Sequence, residues 1–346
     1  MRREILIIGG GIIGLAIAIE LKSQGAAVTI LCRDFAEGAT HAAAGMLAPE
    51  AEEIPPSPML DFCLASRALY PEWIQKLEAL TGMNAGYWDC GILAPRYQVS
   101  EGSQWLDRAA LLTHQSELGE DVVGGYWFAK DAQVDNRALA KVLWMAATAL
   151  GVEIRTEINI ERFAFDTNIH ALETNQGRWK ADHYILATGA WSQELLPIPV
   201  FPRKGQMLSV QVPDAVNLPL RQVLFGEAYI VPRQDGRIIV GATSENVGFQ
   251  VGNTAIGIHT LLSNAIRLYP PIQHFALQEI WSGFRPATPD ELPILGESPY
   301  ENLTLATGHY RNGILLAPVT GSAIAQYVLT QKADPQLEAF HYSRFS

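Results

Sequence analysis

Gly9, Gly11 and Gly14 form a G-x-G-x-x-G turn, with Ile12 and Ile13 between the last two, after the apolar run at residues 5–8 and before a helical pattern that stops at Gly25. Gly9 permits the turn, Gly11 lets the backbone approach a pyrophosphate, and Gly14 lets helix pack on strand, with the helix N-terminus facing the phosphates. The chemistry so encoded is dinucleotide binding; a tight structural turn is the alternative. An acidic residue about twenty positions on normally accepts the ribose hydroxyls. Here the next strand ends Leu31-Cys32-Arg33-Asp34, so Cys32 stands where Asp or Glu is usual. Either Asp34 reaches back, or the backbone and Arg33 hold ribose and adenine, or Arg33 and Asp34 are a solvated pair in a turn.

Other chemistries are poorly represented. No G-x-S-x-G turn or H-E-x-x-H pair occurs, and the eight histidines stand apart, so neither a serine nucleophile nor a metal is expected. Glu50, Glu52 and Glu53 read as a solvated loop. Cys32, Cys63 and Cys90 form no C-x-x-C, which argues against disulfides and for a reducing, cytoplasmic location. The net charge of −11 argues against nucleic acid.

The elements that must position the turn are those of an α/β chain. Its 346 residues, 48% hydrophobic, predict two domains. Residues 1–35 read as strand, helix, strand, and helices are expected over 59–81, 101–118, 136–150, 254–269 and 319–329. Strands are expected at 88–95, 122–128, 184–187, 206–212, 228–232, 237–242 and 303–306, several of them in an antiparallel sheet outside the nucleotide fold. Residues 5–19 and 312–331 carry no charge, but the first holds the glycine turn and the second is too polar for a span, so no membrane segment is expected.

Segments along almost the whole chain resemble the FAD-dependent D-amino acid oxidase family, most closely its glycine-oxidising, thiamine-linked branch. They are the glycine turn, Ala42-Ala43-Ala44-Gly45-Met46-Leu47, Ile185-Leu186-Ala187-Thr188-Gly189-Ala190-Trp191, Tyr229-Ile230-Val231-Pro232-Arg233, Gly283-Phe284-Arg285-Pro286, and residues 308–318. The resemblance implies FAD, and the lack of a cysteine in the C-terminal half argues against a covalent link. It also implies a Rossmann-like FAD-binding domain with a parallel sheet (1–82, 133–203 and 284–346), interleaved with an α+β substrate domain having an antiparallel sheet (83–132 and 204–283).

Residue by residue, the resemblance places Thr40, His41, Ala43, Ala44, Gly45, Met46 and Leu47 against the cofactor. Small side chains there let backbone N–H groups crowd phosphate and the flavin edge; close helix packing is the alternative reading. Thr188, Gly189 and Trp191 suit a turn beside the cofactor, and Ile158, in a strand-like stretch, matches a backbone contact to adenine. Arg311, Asn312, Gly313, Ile314, Leu315 and Leu316 are expected in a loop before the last helix, their N–H groups stabilising charge at flavin N1 and O2. Arg285 is expected to bind a carboxylate bidentately, unless it pairs with Asp290 or Glu291. Tyr229 is expected to share that carboxylate or to be a core aromatic, and Arg311 to line the substrate side or hold the loop.

The implied activity is oxidation of glycine and small secondary or D-amino acids by hydride transfer to flavin, with no protein base. Products would be the 2-oxo acid, ammonia or amine, and hydrogen peroxide from oxygen, the imine feeding thiazole synthesis for thiamine. Expected partners are small amino acids, oxygen, a thiazole synthase and further copies in a homo-oligomer. A D-amino acid or sarcosine oxidase, or a flavin dehydrogenase using another acceptor, are the alternatives.

Overall fold

The computed structural model describes residues 4–100, 103–332 and 334–345. Strand Glu4–Ile8 is apolar on both faces and occupies the middle of a six-stranded sheet. Ala27–Leu31 and Glu153–Arg155 follow on one side; His183–Leu186, Leu303–Thr307 and Ile294–Glu297 lie on the other. Every neighbouring pair is parallel except the last. Strand order reverses at Glu4–Ile8, so a crevice opens beyond the carboxyl ends of the strands. Side chains alternate across the sheet. Ile5 and Ile7 pack with helices Ile12–Ser23, Pro58–Thr81, Asn136–Ala149 and Gly313–Thr330, while Leu6 and Ile8 pack over the three-stranded sheet Ile160–Phe165, Ile169–Thr174, Gly177–Trp179.

A second sheet has eight strands in the order Ala276–Ala287, Phe201–Gln211, Arg237–Gly241, Tyr229–Pro232, Val223–Phe225, Ile92–Arg96, Gly124–Phe128, Leu106–Asp107. All its pairs are antiparallel except Val223–Phe225 with Ile92–Arg96. Helix Ala255–Leu268 covers one face through Leu261, Ala265 and Leu268.

Three expectations are corrected. The helix foreseen at 101–118 is confined to Arg108–His114, because the Asp107 carboxylate accepts the Ala110 N–H at 2.8 Å and caps it there; residues 101 and 102 lie outside the described residues. The last helix begins at Gly313 instead of 319, so residues 313–316 are its first turn and not a loop. Pro318 cannot donate to the Ile314 carbonyl; the Tyr70 hydroxyl donates to it at 2.5 Å, and Ser66 donates to the Leu315 carbonyl at 2.6 Å. This helix is long and apolar enough to cross a membrane, but thirteen of its 18 residues are buried in the fold, and Gly321 brings it close to Ala16. Finally, the domain boundaries drawn at 203/204 and 283/284 fall inside paired strands, since Phe201–Gln211 and Ala276–Ala287 pair from Phe201 opposite Ala287 to Gln211 opposite Ala276, with one register shift between Ser209 and Val210.

Candidate active site

A cavity of about 440 Å³ runs from the glycine turn to the inner face of the eight-stranded sheet. Gly9 has φ +115°, and a Cβ there would strike the Ala187 carbonyl; one on Gly14 would strike the Gly9 carbonyl. Both glycines are therefore required by packing. Gly11 begins the helix without a side-chain cap, and Thr40 Oγ1 accepts the Ile12 N–H at 3.0 Å. The helix N-terminus lines the cavity through Gly11, Ile12 and Ile13, an arrangement suited to an anion.

The segment after Thr40 is held by its carbonyls. Asn136 Nδ2 donates to the carbonyls of Thr40 (2.7 Å) and His41 (3.2 Å), Trp281 Nε1 to that of Ala42 (3.1 Å), and Arg233 Nη2 to that of Ala44 (2.7 Å). Ala43, Ala44, Gly45 and Met46 line the cavity. Gly45 has φ +78°, and a Cβ there would meet the Val134 carbonyl. A glycine turn, a helix N-terminus and a small-residue backbone with its carbonyls tied off fit the phosphates and ring of a flavin dinucleotide.

At the adenosine end, Cys32, Arg33, Asp34, Ile158 and Trp191 all border the cavity. Cys32 is buried, and burial raises its thiol pKa, so it brings no charge to the ribose. Asp34 Oδ1 accepts the Ala36 N–H at 2.7 Å, while Arg33 pairs with Glu37 at 2.8 Å and lies over the Trp191 ring at 4.8 Å. Arg33 and Asp34 do not pair with each other; Glu37, a cavity residue absent from the sequence expectations, takes the arginine. Ile158 precedes its strand instead of lying in it, its N–H donating to the Cys32 carbonyl at 3.1 Å. Thr188 and Gly189 line the wall beside Ser192, whose hydroxyl donates to the Gly189 carbonyl at 2.7 Å.

The opposite end gathers Tyr229, Arg285, Arg311, Gly313 and Ile314. Arg285 does not pair with Asp290, which binds Arg344 at 2.7 Å; its Nη1 donates to the Thr243 carbonyl at 3.1 Å. The Tyr229 hydroxyl lies 3.7 Å from Met207 Sδ, and burial raises its pKa, with Arg285 opposing the shift. Glu52 also faces this chamber, which corrects the solvated-loop reading: Glu50 and Glu53 pair with Arg67 and Arg96, but Glu52 turns inward. Burial lifts its pKa to about 7 against the pull of Arg311 and Arg285. His309 lines the wall, its pKa lowered by burial to about 3, so the ring is neutral.

Six expected residues do not line the cavity. Gly14 acts through packing. The His41 ring sits edge-on to Phe35 at 4.5 Å with Nδ1 buried and unpartnered. Leu47, Leu315 and Leu316 point into the core, and the Leu316 N–H is taken by the Asn312 carbonyl at 2.8 Å, leaving Asn312 at the helix boundary.

Comparison with known proteins agrees with this geometry. The chain is 59% identical to the bifunctional protein ThiO/ThiG of Trichormus variabilis over 100% of its own length and 55% of that protein's, so it spans about half the length of this relative. It is 34% identical to the glycine oxidase of Geobacillus kaustophilus, over 99% of this chain and 97% of that one. The crystal structure of glycine oxidase from Geobacillus kaustophilus superposes with a TM-score of 0.92 at 32% identity, covering 99% of both chains. The model of the DAO family, FAD dependent oxidoreductase, matches residues 4–327. The chain belongs to this family of FAD-dependent oxidoreductases.

Proposed function

We propose that the chain is an FAD-dependent oxidase of glycine and small secondary or D-amino acids, yielding the 2-oxo acid, ammonia or amine, and hydrogen peroxide. The observation that carries this reading is Arg285: it lines the chamber beside Tyr229 and, among the described residues, has no carboxylate partner within ion-pair distance. A guanidinium left in that state is a receptor for a ligand carboxylate, and the Tyr229 hydroxyl is a second donor for the same group. Met46, Met207, Phe225 and Tyr229 belong to one apolar cluster at this end, which favours a small side chain on the substrate and limits water. Bound FAD would supply the hydride acceptor, and oxygen the final oxidant.

The names of the relatives support a place in thiamine biosynthesis, with a thiazole synthase as the user of the imine. Further copies of the chain are proposed as partners in an oligomer, in the cytoplasm. The test is peroxide production in air with glycine, sarcosine, D-alanine and D-proline, beside the visible spectrum under anaerobic substrate. Bleaching with peroxide and glyoxylate from glycine is expected. Bleaching without peroxide would replace the oxidase with a dehydrogenase, and a protein that takes up no FAD would overturn the cofactor.

A further inference from the structure

Glu52 has no task in the reaction as set out above, yet the fold holds it with care. Its own N–H donates to the Ala48 carbonyl at 2.9 Å, and the preceding Ala51 N–H donates to Asp131 Oδ2 at 2.8 Å. The Asp131 side chain is fully buried and paired with Arg67, which binds Glu50 at 2.8 Å. The backbone beneath Glu52 is thus anchored to a buried ion pair, and its side chain enters the chamber where Arg285 and Arg311 lie.

The chemistry supplies the missing task. A free amino acid near neutral pH carries an ammonium, and a hydride leaves the α-carbon readily only when the nitrogen lone pair is free. A site whose cations are two guanidiniums needs one anion to meet that ammonium. Of the carboxylates lining the cavity among the described residues, Asp34 and Glu37 lie at the adenosine end, Glu194 and Glu227 are exposed and Glu227 pairs with Arg267 at 3.3 Å, which leaves Glu52. On the reading of the protein as an amino-acid oxidase, we propose that Glu52 accepts the ammonium proton of the bound substrate. The N–H bond breaks with its electron pair staying on nitrogen, and an O–H bond forms on the Glu52 carboxylate; the proton then passes to water. Asp131 is a positioning residue for this step, acting through the Ala51 N–H.

The groups facing Glu52 set when it can act. Arg311 and Arg285 favour its anion, Asp131 disfavours it, and burial outweighs them all, holding the pKa at about 7. Tyr229 and Cys63, the other titrating neighbours, are both shifted upward by burial and stay neutral in this range. Glu52 therefore accepts protons above about pH 7 and is blocked below it.

The experiment compares holoenzyme and its Glu52→Gln variant. Acetate, a carboxylate without an amine, serves as a probe through its perturbation of the flavin spectrum, and kcat/KM for glycine is followed from pH 6 to 10. Wild type is expected to lose kcat/KM below about pH 7. The variant should bind acetate as wild type does, fall roughly 100-fold in kcat/KM at pH 7, and recover toward pH 10 as free glycine loses its own proton. A variant that keeps the wild-type rate and acid limb overturns the proton transfer while leaving the oxidase intact. Equal losses at every pH, together with lost acetate binding, would overturn it in favour of a structural role. A wild-type flavin that no amino acid bleaches overturns the oxidase reading and this step with it.

Discussion

The Arg285 guanidinium lies against Gly205, so close that a Cβ on the glycine would occupy the space of its terminal nitrogens. The two residues sit on the paired strands Ala276–Ala287 and Phe201–Gln211. Gly205→Val should therefore displace the guanidinium without touching the glycine turn: KM for glycine rises while FAD content in the purified protein is unchanged. Arg285→Ala should lower kcat/KM by about 2–5 kcal/mol, and Arg285→Lys by less, since lysine keeps the charge but loses the fork. Steady-state kinetics at saturating FAD checks both, and an unchanged KM in either Arg285 variant would remove it from the substrate site.

Tyr229→Phe isolates one hydroxyl. Its protein contacts are the weak acceptor Met207 Sδ at 3.7 Å and the Arg285 guanidinium, which keeps its bond to the Thr243 carbonyl without it, so folding stability should change little. Loss of a donor to the substrate carboxylate is expected to cost about 1 kcal/mol, roughly fivefold in KM. A wild-type KM would mark Tyr229 as a packing residue.

Tyr70→Phe acts on the fold alone. It leaves the Ile314 carbonyl, already deprived of its helical donor by Pro318, without its hydroxyl partner. The expected loss is about 1–3 kcal/mol, read as a lower urea midpoint with an unchanged slope. A midpoint equal to wild type would mean that another donor satisfies this carbonyl.

Gly9→Ala should abolish FAD retention. The added Cβ would strike the Ala187 backbone carbonyl, which no rotamer can relieve, and φ +115° is hostile to a side chain. The check is the 450 nm absorbance of the protein purified with excess FAD.

Glu52 also links pH to stability. Its folded pKa, about 7, exceeds the ordinary 4.5. Between those values the native state binds more protons than the unfolded one, so this residue's contribution is complete below pH 4.5 and is lost as pH rises through about 7. Glu52→Gln should accordingly raise Tm more at pH 8 than at pH 5. Equal changes at the two pH values would contradict an upward shift.

The glycine turn and its flanking strands were legible because periodicity, glycine spacing and an unbroken apolar run agreed locally at residues 5–31. Arg285 was expected in the site from its residue type and the family resemblance, and the structure places it in the cavity wall. What escaped depended on distant partners. The start of the last helix was hidden because the hydroxyl that rescues the Ile314 carbonyl comes from Tyr70. Glu52 looked like part of an exposed acidic loop, and only the buried Asp131, eighty positions away from Ala51, turns that loop inward. Buried Ala48 and Ala51 on either side of Glu50 were the one local hint, a spacing too short to read as a pattern.

The strand pair that carries Gly205 and Arg285 crosses both expected domain boundaries without interruption. It works as a beam built into both halves of the molecule, and a clamshell motion about that crossing would shear a ladder of backbone hydrogen bonds. The stretch after Gly241 is laced to the same beam, Thr243 and Glu245 donating their N–H groups to the Gln206 and Lys204 carbonyls, and beyond it Phe249 stacks on Trp191 at 5.3 Å between Gly248 and Gly252, both at positive φ. Arg285 is bound into the same arrangement, its Nη1 on the Thr243 carbonyl and its neighbour Phe284 edge-on to Phe249 at 5.2 Å, so a change in the stretch or in the strand is felt by the other.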